Sequence, residues 1–495
     1  MHGCERLIHA LVIAILAIPL LEDELPAVPL LPDLSPALVA GISLGPFVLL
    51  ALGVQLVIAR LARRLDRTGE VKFIRQAHRA VAISRVLLLL FYANAVLCVG
   101  WQELVRRVLG GNLVLVDELI VTLPPLFTLI AGWWSLSAID QRVTQATLIR
   151  ALDSGAPLPT LVSRAAHVGE QIRHHLLFLL IPIFSIIAWT EIIDRATRSL
   201  ESNLPGEWVQ RISVGAQVSG VVLVIALMPL VLRVLWNTSP MEPGPIHARL
   251  TALFETQGAR CRSILIWRTQ GGLLNGAVIG VLPQLRYILL TESLIERLNP
   301  VQIEAVMAHE VAHARRHHLP WLMAAMIVCI ALSWGLVSLG VGAILPAGFE
   351  HTASERMDLL VVVIEAIVAL GVGLSVFGGI SRRFEQQADA FAAQHLSGMT
   401  RSTQDDAAIR ITPEAAWAMS SALRDVAAFN GIPESASMWR HGSIGARRRR
   451  LDALIGVYAS QLPIDRIVRH IKILTMIGLV IMLALAVWKP DLFPE

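Results

Sequence analysis

Two histidines and a glutamate in one short polar stretch have the spacing of a metal site. The segment 305–318 reads AVMAHEVAHARRHH, with His309 and His313 four residues apart and Glu310 directly after the first. On a helix, positions i and i+4 lie on one face about one turn apart, so both imidazoles could reach one ion. Zinc prefers such nitrogen ligands. Glu310 lies on the same turn, where a carboxylate could take a proton from a metal-activated water and pass it to a leaving amine.

A catalytic zinc usually has three protein ligands, so the histidine pair needs a further partner. His317 lies eight residues from His309, about 12 Å along a helix axis, which is too far for the same ion. The segment 381–396, SRRFEQQADAFAAQHL, offers Glu385 and Asp389 on one helix face beside an apolar stripe. The structural alternatives are a histidine-rich polar helix at a membrane surface and a solvated acidic face.

The rest of the chain is largely apolar. It has 495 residues, 55% of them hydrophobic, with a mean hydropathy of +0.62 and a net charge of +4. Its four cysteines are not spaced as pairs and indicate neither a disulfide framework nor a cysteine metal site. The basic excess is arginine clustered in certain loops and not one continuous face, which argues against nucleic acid as a partner.

Long apolar stretches predict an all-α polytopic membrane protein with about nine transmembrane helices, because a bilayer core needs about 20 apolar residues per helix. The first stretch could be a cleaved signal peptide, but we favour a retained anchor because no small-residue cleavage site follows it. The nine stretches are residues 7–21, 38–59, 86–104, 119–138, 176–193, 214–235, 321–345, 358–380 and 473–488.

The loop charges predict which side of the membrane carries the histidine motif. Loop 60–85 has eight Lys and Arg residues, whereas loop 22–37 has none. The positive-inside rule then places the histidine motif, the acidic segment and the run Arg447–Arg450 on the cytoplasmic side, of a plasma or inner membrane if the source is bacterial. Most of the arginine run is explained simply as positive charge that keeps this segment on the cytoplasmic side.

The sequence predicts five successive parts of the chain. The second of them is a small α+β peptidase region on the cytoplasmic side. SILIWR and YILLT have the composition of strands, and GGLLNGAVIG between them is a strand or a loop. Asn299, Pro300 and Gln302 form the signature of a helix start before the histidine motif. The parts are a six-helix membrane block at 1–236, the peptidase region at 237–320, transmembrane helices seven and eight at 321–380, a helical part at 381–470 and the last transmembrane helix with its tail at 471–495.

The short connection between helices seven and eight predicts that they are antiparallel neighbours. The histidine helix ends where helix seven begins, and Glu385 follows the end of helix eight by five residues. The cytoplasmic ends of the two helices should therefore bring Glu385 close to His313.

The two motifs together resemble the integral-membrane zinc endopeptidases of the CAAX prenyl protease and HtpX type, over about residues 240–454. The resemblance implies that His309, His313 and Glu385 bind one Zn²⁺ per chain and that Glu310 is the general base. It also implies that Asp389 orients a ligand histidine.

Two further segments carry the same resemblance. LLNGAVIG is similar to the family's edge strand and would put Asn275 beside the substrate backbone, where an extended peptide can add as a strand. RHGSIGARRRR supplies His441 and Arg447, which by resemblance would stabilise the oxyanion of the tetrahedral intermediate. Gly442 and Gly276 stand where the family usually has proline and alanine.

The sequence thus predicts a membrane-embedded zinc endopeptidase that cleaves membrane-associated or misfolded proteins, with the lipid bilayer as its surroundings. A signal-relay metalloprotease that cleaves a regulator is one alternative, but it would want a sensing domain in the outer loops, which are short. A transporter with an incidental motif is another, but it would want inverted repeats or paired broken helices. Whether a substrate is prenylated does not follow from the residues.

The topology can be tested by labelling single cysteines in a chain whose native cysteines are replaced. We expect cysteines at Thr68 and Thr291 to react from the same, cytoplasmic side, because the loop charges place residues 60–85 and the segment of the histidine motif on that side. Reaction from opposite sides of the membrane would refute the topology.

Overall fold

The computed structural model describes residues 2–24, 34–110, 113–154, 163–202, 204–269, 273–344, 355–403 and 408–488. Its contacts divide the chain into two compact units, Met1–Asn237 and Thr238–Glu495. Each unit has its own hydrophobic core.

The first unit is a helical bundle. Its helices are α1 (His2–Glu24), α2 (Pro36–Thr68), α3 (Lys72–Leu97), α4 (Trp101–Leu109), α5 (Val116–Ser154), α6 (Arg164–Gln171), a π-helical turn (Ile172–Leu177), α7 (Phe178–Arg198) and α8 (Gly206–Leu235).

The prediction of an arginine-rich loop at 60–85 is wrong, because most of this segment is helical. Helices α2 and α3 run through most of it, because polar residues can continue a helix beyond its apolar stretch. The turn between them is short, and Gly69 closes α2 in the left-handed conformation, with φ of 67°, which glycine adopts without a steric penalty. The helix predicted at 86–104 is also displaced: α3 ends at Leu97 and α4 begins at Trp101.

Eight helices of the described residues are long and apolar enough to cross a membrane. This confirms the predicted all-α polytopic membrane architecture. Among the described residues, the first predicted stretch is represented by a shorter apolar helix, Ile8–Pro19.

The second unit contains the predicted strands as one four-stranded sheet. The strands are β1 (Thr238–Pro240), β2 (Ser263–Trp267), β3 (Gly276–Ile279) and β4 (Tyr287–Thr291), in the order β1-β2-β4-β3. Strands β2 and β4 are parallel, and the outer two pair antiparallel to them. The Gly-rich segment is therefore a strand after Asn275, and β3 lies at the end of the sheet.

The remaining elements of this unit are helical: α9 (Pro245–Thr256), α10 (Glu292–Arg297), α11 (Pro300–Arg315), α12 (His318–Ile344), α13 (Glu355–Leu396), α14 (Pro413–Phe429), α15 (Ile444–Asp452) and α16 (Pro463–Trp488). The predicted start of α11 is confirmed. Asn299 and Gln302 form a reciprocal capping box, and Pro300 is at the first helical position.

Helices α12 and α13 are antiparallel neighbours, as predicted from their short connection. His318 contacts Gln387 at one end, Gly373 lies against Cys329 and Ile330 midway, and Ser338 bonds Glu365 further along. The contacts run in opposite directions along the two helices, so the start of α12 meets the last turns of α13.

The structure changes one position of the labelling test. Thr291 ends β4 with its side chain wholly buried, so a cysteine there would not react whichever side it faced. The exposed Arg297, at the end of α10, is the appropriate position beside the histidine motif.

Candidate active site

Helices α11 and α13 bring three of the predicted ligands together. The Nε2 atoms of His309 and His313 are 3.3 Å apart. Glu385 places one carboxylate oxygen 3.5 Å from the Nε2 of His309 and the other 3.7 Å from the Nε2 of His313. Helical spacing puts the histidines one turn apart, and the crossing of α13 supplies the carboxylate.

These three side chains fit a zinc ion by their chemistry and spacing. Zinc bonds to imidazole and carboxylate are about 2.0–2.2 Å, so two ligand atoms of a tetrahedral site should lie about 3.4 Å apart. The three separations above, 3.3 to 3.7 Å, agree with that value. The three ligand groups also come within 4.8 Å of one another as a set.

Asp389 and Arg447 support His309 from behind. Asp389 Oδ1 lies 3.0 Å from His309 Nδ1, although the N–H direction falls outside ideal hydrogen-bond geometry. Arg447 donates from Nε and Nη2 to the two Asp389 oxygens, at 2.8 and 2.6 Å, and both side chains are buried. Burial disfavours the charged imidazolium, but Asp389 and Glu385 outweigh it and raise the pKa of His309 to about 10.

Glu310 belongs to the histidine helix α11, and its side chain faces the edge strand β3. Burial raises the pKa of its carboxyl group, against the opposing effects of His309 and of a hydrogen bond from the Val278 backbone N–H in β3. The pKa of His313 is held well below its ordinary value, first by burial and then by His309. In both groups burial disfavours the charged form.

The other predicted site residues are at the rim or behind the ligands. His441 Nδ1 lies 2.9 Å from Glu385 Oε2, and its side chain is 42% exposed. Arg447 is 4.0 Å from the same oxygen, on the buried side. Asn275 is exposed immediately before β3, where its backbone N–H and C=O bond Thr291.

Sequence reasoning missed His318, which is fully buried beside a ligand. Its Nδ1 lies 3.0 Å from His313 Nδ1, and its Nε2 lies 2.9 Å from Gln387 Oε1. A His313 that binds a metal through Nε2 carries its proton on Nδ1, so it donates to His318, and His318 in turn donates to Gln387. Gln387 donates onward to Asp465.

The helix break that creates this contact had no clear signal in the sequence. Helix α11 ends at Arg315, and His317 adopts a left-handed conformation with φ of 54°. The chain therefore turns, and α12 starts with the His318 ring directed back at the site. His317 itself is exposed and contacts no ligand among the described residues.

Comparisons with known proteins agree with this geometry. Residues 270–441 match the model of peptidase family M48. A protease HtpX homolog from Bacteroides fragilis is 26% identical over 203 residues, which are 39% of this chain and 58% of that protein. The corresponding homolog from Moorella thermoacetica is 27% identical over 240 residues, 44% of this chain and 75% of that protein. The crystal structure of S. mikatae Ste24p covers 85% of this chain and 98% of its own, with a TM-score of 0.37 and 14% identity.

The resemblance inferred from the motifs is therefore confirmed: residues 270–441 match the M48 peptidase family, and they lie in a chain with eight described helices that could cross a membrane. The chain spans 58% of the length of the Bacteroides relative. The first unit lies outside the family match.

The identity of the third ligand can be tested by metal analysis. We expect Glu385→Ala to purify without stoichiometric zinc, because it removes one of three ligand groups. His317→Asn should retain one zinc per chain, since His317 points away from the site and asparagine tolerates its backbone conformation. A fully metallated Glu385→Ala protein would contradict the assignment.

The contact of His318 predicts a role in holding His313. We expect His318→Leu to weaken zinc affinity by about 10–100-fold, as loss of an outer partner of a ligand histidine typically does. His318→Asn keeps an acceptor near His313 and should recover part of the loss. Competition with a zinc chelator measures both, and unchanged affinity in His318→Leu would show that His318 only fills space.

Proposed function

We propose that this chain is a membrane-embedded zinc-dependent endopeptidase. The observation that carries the proposal is the convergence of His309, His313 and Glu385 within 3.7 Å of one another, with Glu310 against the edge strand. Zinc held there would polarise a peptide carbonyl and lower the pKa of water. The family match over residues 270–441 supports the same reaction class.

Glu310 is the proposed general base. It neighbours the three ligand groups without being one of them, so its carboxylate is available to accept a proton from the attacking water. The raised pKa of Glu310 suits this task, because a base whose pKa lies closer to neutrality can also return the proton to the leaving amine. Removing its charge should stop both transfers.

The substrate backbone is proposed to add to β3 as an extended strand. Strand β3 is at the end of the sheet order, packs beside α11, and has Asn275 at its entrance. Backbone pairing at this edge would hold a peptide alongside Glu310 and the metal ligands. Binding by main-chain groups gives affinity with modest dependence on the peptide's sequence.

His441 and Arg447 are proposed to stabilise the developing oxyanion in different ways. His441 is partly exposed and next to Glu385, so its ring can contact a substrate carbonyl directly. Arg447 donates two hydrogen bonds to the Asp389 carboxylate, which hold Asp389 in place. Its positive charge therefore acts from behind the proposed ligands.

Membrane-associated or misfolded proteins are the proposed substrates, reached from the cytoplasmic side. The eight candidate membrane helices would keep the site near the bilayer, where such polypeptides occur. A peptidase and a transporter are distinguished by the requirement for Glu310.

We expect Glu310→Gln to abolish peptidase turnover while leaving zinc in place. The amide keeps the shape of the side chain but cannot accept the proton, and general acid–base contributions reach about 10²–10⁴-fold. The loss should be at the upper end, because one group serves both transfers. Turnover of an unfolded membrane-protein substrate and of a prenylated peptide, with zinc analysis of the same preparation, measures this.

The control is Glu296→Gln on the exposed end of α10, which removes the same charge outside the site. It should keep wild-type turnover, since surface substitutions usually change stability by less than about 0.5 kcal/mol. Wild-type turnover in Glu310→Gln would refute the mechanism.

A further inference from the structure

A cavity of about 340 Å³ lies between the last turns of α13 and the first turns of α16, apart from the candidate active site. Three arginines line it: Arg382 and Arg383 from α13, and Arg450 from the second half of α15. An apolar wall is formed by Val376 and Ile380 on α13 and by Ile467 and Ile471 on α16, and Gly379 and the neutral Gln386 complete the lining.

The positive charge of this cavity is not compensated by its lining. Arg382 donates from Nη1 to the Trp439 carbonyl at 2.8 Å, and Arg383 donates from Nη1 to Gln386 at 3.1 Å, so both known partners are neutral. Across the ranges the structure describes, no carboxylate lines the cavity. Burial first, and then the neighbouring Arg383, lower the pKa of Arg450, against an opposing effect of Asp389.

The polar and apolar walls are separated along the helices. On α13 the apolar run ends at Ile380, and the arginines follow directly. On α16, Ile467 and Ile471 lie one turn apart on one face, ahead of the apolar stretch that continues to Leu485. On α13 the guanidinium groups therefore lie where the apolar run stops, and on α16 the two isoleucines face the cavity near the start of the helix.

We propose that this cavity binds an anionic phospholipid, with Arg382, Arg383 and Arg450 around its phosphate and one acyl chain along the apolar wall. Guanidinium groups match phosphate oxygens with paired hydrogen bonds. Basic pockets at the ends of membrane helices are suited to such head groups. A free phosphate ion would use the arginines and leave the apolar wall without a role.

The proposal gives one member of the arginine run, Arg450, a role beyond membrane topology. Arg447 faces inward to Asp389, Arg448 pairs with Glu434, and Arg450 faces the cavity. Because Glu385 follows Arg383 by two residues on α13, a lipid bridging α13, α15 and α16 would brace the turn that carries a metal ligand.

The test measures lipid binding to the full-length protein and does not depend on peptidase activity. A fluorescent short-chain phosphatidylglycerol is titrated in neutral detergent and followed by anisotropy. Each cation near an anionic head group contributes about fivefold, so the triple variant Arg382→Gln, Arg383→Gln and Arg450→Gln should lose about a hundredfold in affinity. The single variant Arg450→Gln should lose about fivefold and serves if the triple variant does not fold.

The matched control removes the same charge elsewhere, as Arg260→Gln, Arg262→Gln and Arg424→Gln, three exposed arginines outside the cavity. It should bind phosphatidylglycerol like the wild type, and phosphatidylcholine should compete poorly with the wild-type site. Equal loss in the control and the cavity variants would overturn the proposal in favour of general surface charge. Displacement of the lipid by inorganic phosphate or by an acidic peptide at the lipid's own concentration would overturn it in favour of a site for those ligands.

Discussion

The buried pairing of Arg447 with Asp389 is the interaction on which the rest of the site depends. Taking an ion pair out of water is costly, and it is stabilising only when further polar groups complete its bonding. Here Asp389 also faces His309, so the carboxylate is shared between a fixed cation and a ring nitrogen. Removing either partner would leave an uncompensated charge in the interior next to the proposed metal ligands.

Charge balance explains why this arrangement suits a divalent cation. Glu310, Glu385 and Asp389 are three carboxylates around one permanent cation, Arg447, which leaves an excess of two negative charges. Without a metal, part of that excess is met by protonation of His309, whose pKa is raised to about 10. A divalent ion would replace that proton and neutralise the cluster, so metal binding should compete with protons.

Local signals in the sequence predicted most of what lies around the histidines. Asn299 and Gln302 specify the start of α11, because their side chains can bond the free backbone N–H groups of the first turn. The β-branched and aromatic segments became β2 and β4 for similarly local reasons. The approach of Glu385 followed from a short connection and the length of two helices.

Contacts decided by tertiary packing could not be read in this way. Nothing in ARRHH distinguishes the exposed His317 from the buried His318, because the difference arises from one left-handed residue and the direction of a new helix. Arg447 is one of four consecutive arginines, and only the fold selects it to meet Asp389. Helices α2 and α3 extend past their apolar stretches because the helical hydrogen-bond ladder continues where hydropathy ends.

The position of β3 at the end of its sheet has a consequence for which polypeptides can be cut. A chain segment that pairs with this edge must first give up its own backbone hydrogen bonds, so an intact helix cannot enter. Inside the hydrocarbon core no water can replace those hydrogen bonds, so unwinding a helix there costs several kcal/mol for each backbone group left unpaired. Under the proposed pairing with β3, cleavage would be directed to loops, frayed ends and segments that have failed to fold, and conformation would take precedence over sequence in the choice of the bond.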